Sequence, residues 1–193
     1  AILVRANLLD ARAERAKLAG ADLTRAVIDG ATFDGATLDE ATLARVRGHK
    51  ASLRKASAVG AGFVGAQLRG AHLEGADLTG ADFSTAQLDE AVFDTAKMAK
   101  VRLYRARGEK TSFARCTMGN ARCEAVVFAH GSFRGVLADD SIWERADLTT
   151  CSFEGASLVS SSFVRAKCWK TNFNEADLST TRMRKSHMNG ATF

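Results

Sequence analysis

The chain has 193 residues, a formal net charge of +5 and 46% hydrophobic residues. This length suits a single domain, and the apolar content is sufficient for a continuous core. The longest stretch without a charge, Ala56 to Leu68, is too short to span a membrane, and no segment resembles a secretory signal peptide. The sequence therefore predicts no transmembrane segment.

A five-residue period begins at the first residue and continues to the last without interruption. In each unit the first residue is small and most often Ala, while the third is usually Leu, Phe or Met. No charged residue occupies the first or third position of any unit. A helix repeats about every 3.6 residues and a strand about every two, so neither alone gives this period. Three extended residues with the first and third pointing inward, followed by a two-residue corner, do give it.

Each unit should thus form one side of a coil, and the aromatic residues indicate four sides per coil. When every fourth unit is aligned, seven of the 11 Phe residues fall into one column, whereas aligning every third unit scatters them. Nearly ten coils, stacked at the spacing of hydrogen-bonded strands, would form a rod about 46 Å long. The aligned residues are Phe33, Phe93, Phe113, Phe133, Phe153, Phe173 and Phe193.

Several units share a more specific pattern, in which Ala is followed by Asp or Asn and then by Leu or Phe. They are Ala6-Asn7-Leu8, Ala21-Asp22-Leu23, Ala76-Asp77-Leu78, Ala81-Asp82-Phe83, Ala146-Asp147-Leu148 and Ala176-Asp177-Leu178. Through these units the whole chain resembles the pentapeptide-repeat family. The resemblance implies an all-β fold, a right-handed four-sided parallel β-helix of about ten coils. We expect residues 1–193 to form one such domain, excised from a longer protein.

The first coil differs from the others in its outward residues. Ile2, Val4 and Leu9 occupy positions that are mostly polar elsewhere. We expect a preceding segment or a cap to cover them, with simple fraying of the ends as the alternative. Both ends of such a rod present unpaired strand edges, so end-to-end dimerisation is a further alternative.

Two units carry Gly at the inward third position, Gly48 and Gly108, which lie three coils apart on the same side of the rod. A Gly at a core position leaves space for a bulge or for larger neighbours. We expect local packing to use this space, with a functional notch as the alternative.

Two apparent catalytic motifs do not fit a catalytic site when they are placed on the coil. Residues 60–65 match G-x-G-x-x-G but no helix follows, and residues 52–55 match S-x-x-K without an oxyanion hole nearby. The histidines point outward on different coils, and no carboxylate points inward. Four cysteines occupy inward positions without C-x-x-C spacing, which is typical of buried reduced thiols: Cys116, Cys123, Cys151 and Cys168. The sequence therefore predicts no enzymatic activity, no metal and no cofactor.

The charges are unevenly distributed over the four sides. We call the side whose third residues include Leu3, Leu23 and Leu43 the basic side, because its 11 basic and 4 acidic residues give it a net charge of +7. Seven of its ten stacked corner positions are basic. This corner column consists of Arg5, Arg25, Arg45, Arg105, Arg145, Arg165 and Lys185. Such a column needs solvent, neighbouring carboxylates or an anionic partner to relieve its repulsion.

Outward apolar residues accompany the basic side in the second half of the chain. Arg and aromatic residues together are frequent anchors of protein interfaces. We predict a docking surface for a protein partner with an acidic surface. It consists of Arg102, Tyr104, Arg105, Arg122, Ile142, Arg145, Val164, Arg165 and Trp169.

The resemblance leaves three functions open. The first is a non-catalytic rigid scaffold and docking module of a larger bacterial protein, since some relatives are secretion-associated adaptors or effectors. The second is DNA-gyrase binding by DNA mimicry, as in quinolone-resistance members, although these call for an acidic rod. The third is binding of anionic lipid or nucleic acid through the basic side, with nucleic acid disfavoured because few aromatic residues could stack on bases. We expect the bacterial cytoplasm, or secretion from it without a cleaved signal peptide.

Overall fold

In this computed structural model, which describes all 193 residues, the chain forms a right-handed, four-sided parallel β-helix. Each isolated backbone bridge joins a residue to its counterpart four units later, from Ile2 with Asp22 to Asn172 with Thr192. Two segments extend into short strands, β1 (Arg107–Glu109) and β2 (Val127–Ala129), which pair in parallel with the same offset. The four-sided coil predicted from the Phe column is confirmed. No helix with the length and apolar character of a membrane span occurs in the structure.

The corners of the coil share one backbone conformation. Every fifth residue from Arg5 to Gly190 has a positive φ, at 27 non-glycine and 11 glycine positions. The preceding third residue usually accepts a hydrogen bond from the next unit, as in Ala6 N to Leu3 O at 3.0 Å. A left-handed residue before the closing N–H is characteristic of type II turns. The corner side chains therefore point outward in columns that run along the rod.

Inward residues form one continuous core. The first and third residues of the units are buried from Ala21 to Phe173, and those of the end coils are only partly buried because they have one neighbouring coil. Six of the seven residues of the predicted aromatic column form a stack of parallel rings whose successive centroids are 4.6 to 5.6 Å apart. The members of the stack are Phe93, Phe113, Phe133, Phe153, Phe173 and Phe193. Phe33 is buried but lies outside the stack, because Leu53 and Leu73 separate it from Phe93.

Carboxylates on the surface stabilise the backbone in two ways. An Asp at the second position accepts a hydrogen bond from the fourth residue of its own unit, as Asp22 does from Thr24 N at 2.9 Å. Hydrogen bonds from the Thr24 side chain and backbone lower the pKa of Asp22. An Asp at the fourth position instead joins neighbouring coils, and Asp39 accepts from Val59 N at 3.0 Å. The Ala-Asp-Leu pattern therefore combines a buried first and third residue with a turn-stabilising second residue.

Gly48 and Gly108 are explained by their neighbours, as expected from local packing. A Cβ at Gly48 would lie 3.0 Å from side-chain carbons of Ile28 and Leu68, which already fill the space. A Cβ at Gly108 would collide with the Thr111 hydroxyl, which turns inward and donates to Leu88 O at 2.8 Å. Neither glycine opens a notch.

All four cysteines are buried and unpaired, as predicted. Burial raises the pKa of the thiols of Cys116, Cys151 and Cys168 to about 12. Two of these thiols also donate to carbonyl groups of the coil below, Cys116 to Phe93 O at 3.0 Å and Cys151 to Phe128 O at 2.8 Å. They act as small core residues. At the first coil, Ile2 and Leu9 are exposed.

Candidate docking surface

Eight of the nine predicted docking residues lie in three adjacent columns on the basic side. The second-position column holds Arg102, Arg122 and Ile142, which are joined by successive backbone bridges. The fourth-position column holds Tyr104 and Val164, and the corner column holds Arg105, Arg145 and Arg165. Trp169 lies on the adjoining side, in the same coil as Val164 and Arg165.

Two arginines of the predicted surface are already engaged by carboxylates. Arg102 Nε lies 3.2 Å from Asp82 Oδ2, and a terminal nitrogen of Arg122 lies 2.7 Å from Glu124 Oε1. The hydrogen bond and the negative charge of Glu124 raise the pKa of Arg122. The positive charges of Arg102 and Arg122 are thus compensated within the chain, which the sequence alone did not indicate.

The corner column is different, because it holds no carboxylate at any of its ten positions and none of its seven basic members takes part in an ion pair. Members in adjacent coils are separated by the inter-strand spacing of about 4.8 Å. At that distance two like charges in water repel by about 1 kcal/mol. No carboxylate of the chain relieves this repulsion by direct pairing, so the column presents its full charge to solvent.

The two aromatic rings of the predicted surface are each covered by a cation. The guanidinium of Arg105 lies over the Tyr104 ring, 5.0 Å from its centroid, and Lys167 Nζ lies over Trp169 at 4.4 Å. Tyr104 is 43% exposed and Trp169 is 45% exposed, whereas Ile142 and Val164 are only partly exposed. Lys167 was not among the predicted residues. Its place two residues before Trp169, where both point outward, is the sequence signal for this contact.

A depression of about 250 Å³ adjoins the C-terminal end of the corner column. It contains three residues of the predicted docking surface, Arg145, Val164 and Arg165, and three residues that this prediction did not include. Arg184 and Lys185 could have been found by moving one coil along the chain from Val164 and Arg165. Glu144 is held at the edge by a hydrogen bond from Ser162 Oγ at 3.0 Å. The full lining is Glu144, Arg145, Val164, Arg165, Arg184 and Lys185.

The chemistry of this depression is that of an anion-binding surface. Guanidinium groups donate several hydrogen bonds in a planar fork that matches a carboxylate or a phosphate. The lining includes no His, Cys or Ser that could act as a nucleophile or a proton shuttle. No group of three or more His, Cys, Asp or Glu side chains in the protein is arranged to hold a metal ion.

Comparisons with known proteins agree with the repeat pattern and the fold. A family model described as pentapeptide repeats matches eight copies, at residues 6–45, 49–84 and 161–193, which is more than half of the chain. The comparison with curated protein sequences gives no match.

Solved structures include similar rods. A trypsin-treated form of QnrB1, a plasmid-mediated fluoroquinolone resistance protein, has a TM-score of 0.63 and 15% identity, covering 86% of this chain and 90% of QnrB1. HetL, a pentapeptide repeat protein involved in heterocyst differentiation regulation in the cyanobacterium Nostoc sp. strain PCC 7120, has a TM-score of 0.43 and 20% identity. That match covers 96% of this chain and 89% of HetL. At these identities the likeness concerns the fold.

Proposed function

The chain belongs to the pentapeptide repeat family, and on that premise we propose that it is a non-catalytic rigid scaffold that docks an acidic protein partner through its basic side. The docking surface is the set of nine residues defined above, extended by Glu144, Arg184 and Lys185 around the depression. The partner's carboxylates face the corner column, and its apolar side chains contact Tyr104 and Val164.

One observation carries this proposal: the corner column stacks seven cations over ten coils with no carboxylate at any of its positions, and none of the seven forms an ion pair. Arg102 and Arg122 show that carboxylates on this side do reach arginines. The corner residues form no such pair, not even Arg145 and Arg165 beside Glu144, and all seven are exposed. Exposed charges of one sign speed the encounter with an oppositely charged protein and select against partners of the same sign.

The test compares three proteins in a pull-down followed by binding measurements with the purified partner. The native chain is compared with a variant in which Arg105, Arg145 and Arg165 are changed to Glu. A matched control carries Arg15→Glu, Lys55→Glu and Arg115→Glu, which reverse the same number of charges at corner residues of another side. All six positions have the same left-handed backbone, with φ between 55° and 60°, so the introduced Glu residues must adopt the same backbone conformation in both variants.

We expect a protein with an acidic surface to bind the native chain and the control but not the docking variant. Its affinity should fall with salt only moderately, because Tyr104 and Val164 add apolar contact that salt does not screen. Equal loss of partner binding in both variants would contradict the proposal, since net charge alone would then determine binding. A steep salt dependence together with binding to DNA or to anionic vesicles would favour the lipid or nucleic-acid alternative.

A narrower form of the proposal places the chain in a larger bacterial protein that acts as a secretion-associated adaptor or effector. Support for it comes from the family resemblance alone. The test is to follow the native full-length protein by immunoblot in the cytoplasm and the medium of its host. Retention of all of it in the cytoplasm, with a secretion system active, would remove this narrower form and leave the scaffold role intact.

Gyrase binding is the second candidate, because the chain shares its rod architecture with QnrB1 at a TM-score of 0.63. The net charge of the chain argues against gyrase binding, since a DNA mimic needs an acidic surface and this chain has a net charge of +5. A supercoiling assay with DNA gyrase and a fluoroquinolone tests it directly. Protection of gyrase by the native chain would reverse the ranking of the two functions.

A further inference from the structure

The C-terminal end of the corner column is a straight row of three cations. Arg145, Arg165 and Lys185 have φ values of 59°, 60° and 62°, so their side chains leave the backbone in nearly the same direction. They belong to successive coils and are therefore one inter-strand spacing apart, about 4.8 Å. The row runs parallel to the axis of the rod and is about 10 Å long. It forms one wall of the depression described above.

The other three lining residues belong to the fourth-position column, which runs beside this row. In that column Val164 provides apolar surface between Glu144 and Arg184. Glu144 is fixed at one end by Ser162 Oγ and makes no ion pair with the arginines around it. A ligand that fits therefore presents a row of anionic groups with an apolar group beside the middle one, next to Val164.

The spacing of the row discriminates between the shapes of an acidic ligand. In an extended peptide the side chains of one face recur about every 6.7 Å, so two intervals span about 13 Å. On one face of an α-helix they recur about every 5.4 Å, and residues i and i+7 lie about 10.5 Å apart. Only the helical repeat matches a row of about 10 Å without bending either partner.

We propose that the docking surface receives an α-helix of the partner that carries a stripe of carboxylates at i, i+3 or i+4, and i+7. This inference rests on the proposed docking function and specifies the partner for the same surface. The helix lies parallel to the rod axis. Its carboxylates face Arg145, Arg165 and Lys185 in order, and an aliphatic residue next to the stripe contacts Val164. The two arginines supply forked hydrogen bonds, and Lys185 supplies a point charge.

The experiment uses two labelled helical peptides of identical composition and the purified chain. The stripe peptide carries its three Glu residues at i, i+4 and i+7, whereas the spread peptide distributes the same residues around the helix. Binding is followed by fluorescence anisotropy at low salt, where ion pairs are least screened. Both peptides are built on the same Ala-rich helical background, and their helicity is matched by circular dichroism.

We expect the stripe peptide to bind at least about tenfold more tightly than the spread peptide, since each aligned pair contributes to affinity. Arg165→Glu should abolish this difference, and Arg165→Gln should reduce it. Arg115→Glu, at a corner of another side, should leave it unchanged. A thermal melt of each variant confirms that the rod remains folded.

The outcomes separate this inference from the docking function on which it rests. Equal binding of the two peptides, with the partner still lost from the charge-reversed variant, overturns the helical stripe and leaves docking intact. Failure of both the peptides and the pull-down overturns both. Binding of single-stranded DNA or of phosphatidylserine vesicles as tightly as the stripe peptide also overturns the inference, because the surface would then respond to any polyanion.

Discussion

The indole nitrogen of Trp143 donates a hydrogen bond to Ser141 Oγ at 2.6 Å, and both residues are buried in the rod. Ser141 Oγ in turn lies 2.5 Å from Ala138 O, and Ser161 Oγ lies 2.9 Å from the same carbonyl. Two hydroxyl groups thus bring a polar ring atom into a largely apolar core. They occupy the first position of the unit, where Ala is usual.

Ser141→Ala should lower the free energy of unfolding by about 1 to 3 kcal/mol, because it leaves the indole N–H without an acceptor. Ala138 O retains its bond from Ser161, while Ser161 Oγ also loses its contact with Ser141 Oγ at 3.0 Å. Guanidinium unfolding monitored by circular dichroism measures the change. In a Trp143→Phe background Ser141→Ala should lower the free energy of unfolding by less. An identical loss in both backgrounds would contradict the assigned role of the hydrogen bond to Trp143.

Gly108→Ala and Gly62→Ala should have opposite effects on stability. A methyl group at Gly108 meets the Thr111 hydroxyl and lies 3.0 Å from Leu88 O, so we expect a loss of about 1 to 3 kcal/mol. At Gly62 nothing lies within 4 Å and φ is not positive, so Ala should stabilise the rod by about 0.5 kcal/mol. The two free energies of unfolding are compared directly. Destabilisation of similar size by both substitutions would contradict crowding at Gly108 as the cause of the lost stability.

Asp147 should contribute to stability at neutral pH and lose this contribution in acid. Partial burial raises its pKa, but hydrogen bonds from Thr149 and Lys167 outweigh this effect and hold the pKa below the ordinary 3.8. Because the folded state binds the proton less readily than the unfolded state, stability is fully present above about pH 5. The contribution of Asp147 to stability falls as the pH drops through 3.8, its ordinary pKa, and then through its lower pKa in the folded state.

The check on Asp147 is the free energy of unfolding measured between neutral pH and about pH 2. Asp147→Asn should give a flatter dependence on pH than the native chain. Asp140→Asn is the control, since the Asp140 carboxylate makes no hydrogen bond and stands at an exposed corner. A parallel curve for Asp147→Asn and the native chain would rule out the assigned hydrogen bonds.

The four thiols should be unreactive in the folded protein. All are buried, and burial raises the pKa of Cys123 well above its ordinary value as it does for the other three. At about pH 8 we therefore expect almost no reaction with a thiol reagent such as DTNB, which attacks the thiolate. After denaturation all four should react rapidly. Fast modification of one thiol in the native rod would show that its coil opens locally.

The inward and outward alternation could be predicted from the sequence because it repeats at every unit. A single charged residue at an inward position would have contradicted the frame, and none occurs from Ala1 to Phe193. The stack from Phe93 to Phe193 follows from the same period, since residues four units apart lie directly above one another. These features depend on backbone register alone.

Features that depend on side-chain direction could not be predicted in the same way. The sequence predicts only that Arg102 and Arg105 point outward, yet Arg102 reaches Asp82 while Arg105 lies over Tyr104. The depression beside Arg165 was missed as a unit because it joins residues of two columns and three coils. Thr111 fills the space at Gly108 only because its hydroxyl turns inward to a carbonyl of another coil.

The constant offset of four units between bridged positions limits how this molecule can change in length. Deleting a complete coil, such as residues 61–80, would shorten the rod by about 4.8 Å and keep every column aligned. Deleting one residue would instead turn the inward side chains of all later units toward solvent. The distance between two partners bound at different heights on the rod can therefore vary only in whole steps of one coil. Their relative orientation about the rod axis changes only by the twist of the helix itself.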